Sequence, residues 1–206
     1  MSAGLRGLYV ILDPQVAGAR DLQEVAAAAL RGGAKLLQLR DKLSEKGKQL
    51  PLARALAAMC RQTDALFLVN DHVDLALAVD AHGVHLGQQD LPVDAVRPFV
   101  PREFIVGCST NNPQEARQAE AAGADYVSVG RLFPTESKLN TRPATLETLR
   151  VVKAAVSLPV CAIGGINEAN IGSVVEAGAD MAAVIAAVVS ATDPEAAARK
   201  LAAAFS

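Results

Sequence analysis

Gln38-Leu-Arg40-Asp-Lys42 sets an amide, a guanidinium and an ammonium at alternate positions. In an extended chain Gln38, Arg40 and Lys42 then face one side and Leu39 and Asp41 the other. Cations crowded on an inward side are costly unless an anion neutralises them. Arg offers phosphate oxygens a planar fork and Lys a point charge. A solvated strand end with incidental charges is the alternative. Asn70-Asp71 and Gly87-Gln-Gln-Asp90 each bring a carboxylate to the end of an apolar run. Two converging carboxylates could share Mg²⁺, which favours oxygen ligands and keeps waters and substrate phosphates. Asp71 is equally suited to cap a helix starting at Val73. Ser109 follows Cys108 without a G-x-S-x-G elbow, so its hydroxyl reads as a phosphate donor rather than an acyl-transfer nucleophile. His72, His82 and His85 lack partners at zinc-like spacing and read as structural or rim residues.

Further along, a long segment from Gly130 to Pro143 carries Thr135, Glu136, Ser137 and then Lys138. Loops of this length in compact domains usually serve function, often as covers for substrate. The paired glycines of Ile163-Gly164-Gly165-Ile166 expose backbone N–H groups and are read as lying beside a helix N-terminus, and Ile185-Ala186 opens another helix. Backbone donors of that kind hold phosphate. Two separate anion sites, one charged and metal-capable and one mainly backbone, suggest two phosphorylated substrates, the first a diphosphate.

Such residues need a scaffold that gathers the ends of many strands. Apolar runs at 8–12, 35–39, 65–69, 84–86, 104–106, 126–129, 160–163 and 181–185 alternate with Ala-rich helical stretches. Eight units in 206 residues leave about 26 residues each, enough for a strand, a helix and two short loops. Three joints resemble one another: Arg31-Gly-Gly-Ala-Lys35, Ala122-Gly-Ala-Asp125 and Ala177-Gly-Ala-Asp180. Gly just past a helix is the expected C-terminal cap, and the apolar run after it suits a strand buried on both faces. The spacing favours a (β/α)8 TIM barrel, one α/β catalytic domain over 1–206, above an open doubly wound sheet. The polar strings follow the apolar runs, at the strand ends where such barrels do their chemistry.

Composition removes other classes. With 20 basic and 22 acidic side chains the net charge is −2, which offers no basic field for nucleic acid. Five Phe, two Tyr and no Trp make no base-stacking platform. The apolar run 181–189 is about half the roughly 20 residues that a membrane span requires, and 8–12 is too short for a signal-peptide core. Three scattered cysteines, Cys60, Cys108 and Cys161, fit reduced, buried thiols and a cytoplasmic setting.

Taken in order, these strings resemble the thiamine phosphate synthase family. The motifs are Gln38-Leu-Arg-Asp-Lys42, Val69-Asn-Asp71, Gly83-Val-His-Leu-Gly-Gln-Gln-Asp90, Gly107-Cys-Ser109, Pro134-Thr-Glu-Ser-Lys138 and Ala162-Ile-Gly-Gly-Ile166. The resemblance implies a barrel transferase that joins hydroxymethylpyrimidine diphosphate to thiazole phosphate, yielding thiamine phosphate and pyrophosphate through a pyrimidine carbocation. It implies that Gln38, Leu39, Arg40, Asp41, Lys42 and Asn70 bind the pyrimidine diphosphate, with Ser109 and Lys138 on the diphosphate itself. Arg40, Ser109 and Lys138 would be catalytic, and Asp71 and Asp90 would hold Mg²⁺. Thr135, Glu136, Ser137, Gly165, Ile185 and Ala186 would bind the thiazole phosphate. Two positions depart from the family: Ala186 stands where Ser is usual, and Arg131 where Pro is frequent, read here as tolerated variation. The rival readings are a related thiazole tautomerase and a catalytically silent phosphate-binding barrel; neither requires the diphosphate and metal constellation. The expected partners are two small molecules, with no nucleic acid or membrane, and a homo-oligomer is left open.

Overall fold

All eight apolar runs become parallel strands of one closed barrel in a computed structural model, which describes residues 4–135 and 142–206. The strands are β1 (Gly7–Leu12), β2 (Leu36–Leu39), β3 (Leu66–Asn70), β4 (Gly83–Leu86), β5 (Ile105–Thr110), β6 (Tyr126–Val129), β7 (Val160–Ile163) and β8 (Met181–Val184). Closure distinguishes the barrel from the open sheet: β1 pairs with β2 along Tyr9–Leu36 to Leu12–Leu39 and with β8 along Gly7–Met181 to Val10–Val184.

Strand alternation divides the apolar residues into two shells. Leu8, Val10, Leu37, Leu39, Phe67, Val69, Val84 and Val127 face outward and pack with the helices. Tyr9, Ile11, Leu36, Leu68, Tyr126, Cys161, Met181 and Ala183 fill the lumen. Lumen space is tight beside Tyr126, because a Cβ on Gly107 would lie 2.1 Å from the Tyr126 Cζ. Small residues in β5 are therefore what lets two tyrosines share the interior. All three cysteines are buried; burial pushes the Cys108 thiol up to about 11 and Cys60 up to about 12, so both stay protonated near neutrality.

The three glycine joints have one geometry. Gly33, Gly123 and Gly178 take φ of 99°, 94° and 95°. Each N–H donates to the carbonyl three residues back, and the next Ala N–H to the carbonyl five back, as in Gly123 N to Glu120 O and Ala124 N to Ala119 O. This is the Schellman arrangement, which satisfies the last carbonyls of a helix and needs a left-handed residue. The aspartates that close two of these motifs fasten the strand entries: Asp125 accepts from Val106 N at 2.7 Å and Arg97 at 2.6 Å, and Asp180 from Val160 N at 2.7 Å and Lys153 at 2.6 Å. At Gly123 an added Cβ meets nothing closer than Arg97 Cγ at 3.6 Å, so its cost is conformational. Gly123→Ala is expected to lower unfolding stability by about 1–2 kcal/mol, read as a shifted urea midpoint; an unchanged midpoint would contradict the cap. No helix among the described residues is long and apolar enough to cross a membrane.

Candidate active site

A cavity of about 1130 Å³ opens at the C-terminal ends of the strands, and its wall draws on all eight units. The order of the polar strings along the chain thus becomes an order around one rim.

On one side β2 and its extension bring Gln38, Arg40 and Lys42 to the wall, in the alternation expected. Leu39 and Asp41 are not part of it. Leu39 belongs to the outer shell, and Asp41 closes a turn by accepting from the N–H groups of Leu43 and Ser44 at 3.0 and 2.9 Å. Each cation here has its own carboxylate. Arg40 pairs with Asp13, whose side chain is only 2% exposed, and Lys42 pairs with Asp71. Asp13 also caps the helix Pro14–Ala17 through Gln15 N at 2.9 Å. It therefore holds the Arg40 guanidinium from the first unit, a role the sequence reading missed.

Asp71 and Asp90 both line the cavity. Asp71 is not the helix cap: His72 occupies that position before Val73–Ala78. Its left-handed backbone, φ 61°, is a conformation that Asp tolerates better than most residues. Asp90 is fixed by accepting from Gly87 N at 2.7 Å. Burial raises the Asp71 carboxyl above the ordinary carboxylate value; Lys42 opposes the shift and the adjacent Asp90 adds to it. Two carboxylates that repel one another in a half-buried wall fit a hard divalent cation. Among the described residues no third His, Cys, Asp or Glu joins them. That donor set suits Mg²⁺, which completes its shell with water and phosphate oxygens.

Beneath these groups a line of hydrogen bonds crosses the lumen. Gln38 Nε2 donates to the Tyr9 hydroxyl, which lies 3.2 Å from the Tyr126 hydroxyl. Tyr126 is 2.8 Å from His85 Nδ1, and His85 Nε2 is 2.9 Å from Ser109 Oγ. The His85 and Tyr126 rings stack at 5.5 Å between centroids. Ser128 Oγ approaches Ser109 Oγ at 3.5 Å. Burial drives both tyrosines well above the ordinary phenol value, so they keep their protons. His85 is thus an interior group in contact with Ser109. His82 is structural, accepting from Phe67 N at 3.0 Å, with burial lowering its pKa.

The opposite wall is mostly backbone: Gly164, Gly165, Ile166, Ile185, Ala186 and Ala187, with Thr135 and Arg131 beside them. Gly164 and Gly165 take φ of 100° and 66°. The pair was expected beside a helix N-terminus, but the next helix begins only at Ile171. Its glycines are needed instead for close approach, since a Cβ on Gly165 would lie 2.5 Å from Pro134 O. Leu132 N and Phe133 N donate to Ile163 O and Gly164 O at 3.0 Å each, so the start of the long loop runs along this strand end. Ala186 starts a short helix, Ala186–Val189, whose first N–H groups have no partner within it. Arg142 pairs with both oxygens of Glu115 at 2.7 and 2.8 Å. Of the four Arg and Lys side chains lining the cavity among the described residues, Arg131 alone has no carboxylate partner. Glu136, Ser137 and Lys138 lie outside the described residues.

Comparison with known proteins bears on this arrangement. A family model described as thiamine monophosphate synthase matches residues 8–188. The thiamine-phosphate synthase of Thioalkalivibrio sulfidiphilus is 48% identical, over 98% of this chain and 96% of its own. That of Methanospirillum hungatei is 46% identical, over 95% and 96%. The solved thiamine phosphate pyrophosphorylase of Pyrococcus furiosus superposes with a TM-score of 0.90 at 39% identity, covering 98% of this chain and 96% of that one.

Proposed function

The chain belongs to the thiamine monophosphate synthase family, a transferase of thiamine biosynthesis, and on that premise we propose how its cavity works. Hydroxymethylpyrimidine diphosphate sits against Gln38, Arg40, Lys42, Asn70 and Ser109, with Mg²⁺ at Asp71 and Asp90. Thiazole phosphate sits against Thr135, Gly165 and the backbone at Ile185–Ala186. The observation that carries this reading is the division of one wall: paired cations and converging carboxylates on one side, backbone donors on the other. A volume of about 1130 Å³ accommodates two small substrates.

The bond between the pyrimidine methylene carbon and the diphosphate oxygen breaks, and its electron pair leaves with the diphosphate. The methylene cation left behind is captured by the thiazole nitrogen lone pair, giving a quaternary nitrogen and free pyrophosphate. No proton moves in that balance, so no general base is needed. Arg40, fixed by Asp13, and Lys42 face the charge that grows on the departing oxygens, where preorganised donors are worth most. A divalent cation held by Asp71 and Asp90 would supply further neutralisation of that leaving group. Lys138 would add a second ammonium. Leu39 and Asp41 contribute the spacing that turns their neighbours inward rather than contacts of their own. The three buried thiols suit a cytoplasmic setting.

Rather than tolerated variation, Arg131 is assigned a contact to the acceptor phosphate, beside the position where Ala186 lacks a side-chain hydroxyl. Arg131→Gln is expected to raise KM for thiazole phosphate roughly ten- to hundredfold, with kcat retained; a rise confined to the diphosphate substrate would place Arg131 elsewhere. The reading as a whole is tested by pyrophosphate release. Release should require both substrates and Mg²⁺ and match thiamine phosphate mole for mole. Binding of both substrates without release would favour a silent barrel.

A further inference from the structure

From the lumen hydrogen bonds we infer a positioning function for Tyr9, Tyr126 and His85: with Gln38 they form a one-directional donor relay that leaves the Ser109 hydroxyl proton free to point into the cavity. The inference rests on the reading of Ser109 as a diphosphate contact and deepens it.

The direction follows from what each atom can do. The Gln38 Nε2 group has no acceptor capacity, so Tyr9 accepts from it. Either hydroxyl has the capacity to donate across the 3.2 Å between Tyr9 and Tyr126; with one Tyr9 lone pair taken by Gln38, the relay assigns the proton to Tyr9. Tyr126, its lone pair engaged, gives its proton to His85 Nδ1 at 2.8 Å. A neutral imidazole that accepts at Nδ1 must carry its proton at Nε2, and it donates from there to Ser109 Oγ at 2.9 Å. Ser128 donates to the same oxygen at 3.5 Å. Both lone pairs of Ser109 are then occupied, and its O–H is the one group left to donate outward. Reversing the direction would send the Ser109 proton to His85 and leave an acceptor where a phosphate oxygen arrives. Burial, which keeps both tyrosines protonated, preserves the relay. Such a chain also holds its last member more rigidly than one bond would.

Tyr126 does not line the cavity, so its removal should act only through the chain that ends at Ser109. Tyr126→Phe and, one step further back, Tyr9→Phe are expected to lower kcat roughly ten- to hundredfold with KM for both substrates little changed. In a Ser109→Ala background Tyr126→Phe should have no further effect on kcat, which a general packing defect would not reproduce. The second readout is independent of turnover. The ¹⁵N shifts of His85 in the wild-type enzyme, assigned by their loss in His85→Gln, should show the Nε2–H tautomer. An Nδ1–H tautomer, or independent multiplicative losses from Ser109→Ala and Tyr126→Phe, would overturn the relay. A wild-type enzyme that released no pyrophosphate would remove the assigned reaction while the tautomer measurement still decided the direction of the chain.

Discussion

Replacing Ser109 by alanine is expected to slow turnover roughly 10²–10³-fold, the scale seen when one preorganised donor to a developing charge is removed. Ser109 lies in β5, lines the cavity and is held from behind by His85 and Ser128. On the relay inferred above, its hydroxyl is oriented before substrate arrives, so reorganisation during reaction costs little. Loss of the hydroxyl also leaves His85 Nε2 without that acceptor in a partly buried place, but the side chain changes little in volume and the barrel should still fold. The effect should appear in kcat far more than in KM, because charge on the leaving oxygens grows only as the carbon–oxygen bond breaks. Near-wild-type turnover would remove Ser109 from the reaction.

The second large effect is expected at the carboxylate pair. Asp71→Asn and Asp90→Asn should each lower the rate at fixed Mg²⁺ by roughly 10²–10³-fold, with part of the loss recovered at higher Mg²⁺. Asparagine is the informative replacement at Asp71 because it tolerates the left-handed backbone found there, φ 61°, so the change tests charge rather than conformation. At Asp90 the amide oxygen can still accept from Gly87 N and hold the turn. Lys42 keeps only a neutral acceptor in the Asp71 variant and is freer to move toward the diphosphate. A small rise in affinity for that substrate alongside the lost turnover would be consistent with this. A Mg²⁺ titration identical to wild type in both variants would contradict the assignment.

The fold was legible because parallel strands buried on both faces read as continuous apolar runs, and because the Gly-Ala-Asp joints mark where helices end and strands begin. β5 was the most truncated reading, 104–106 against Ile105–Thr110. Its second half, Gly107-Cys-Ser-Thr110, carries no apolar signal, since the space it faces is taken by Tyr126. On the site, Gln38, Arg40 and Lys42 were placed by simple alternation, and the carboxylates by their position after strands. The hydrogen-bonded core behind them was not legible. Tyr9 and Tyr126 are 117 residues apart, and only closure of the barrel brings them together; spacing along the chain holds no trace of it. Asp13 drew no reading in the sequence, although an Asp directly before Pro at a strand end is the usual mark of a helix cap. Gly164-Gly165 was correctly picked as unusual, for a reason that lies in the backbone of the neighbouring loop rather than in a helix of its own.

The central claim is that one cavity holds the two anionic groups on opposite walls, with the metal on only one of them. The most direct test is a crystal structure of the enzyme with Mg²⁺, pyrophosphate and thiamine phosphate bound. The expected result is a cation between Asp71 and Asp90, pyrophosphate against Arg40, Lys42 and Ser109, and the product's phosphate against Gly165 and the backbone at Ile185–Ala186. Pyrophosphate lodged against Gly164 and Gly165, or a cation bound away from both carboxylates, would contradict it.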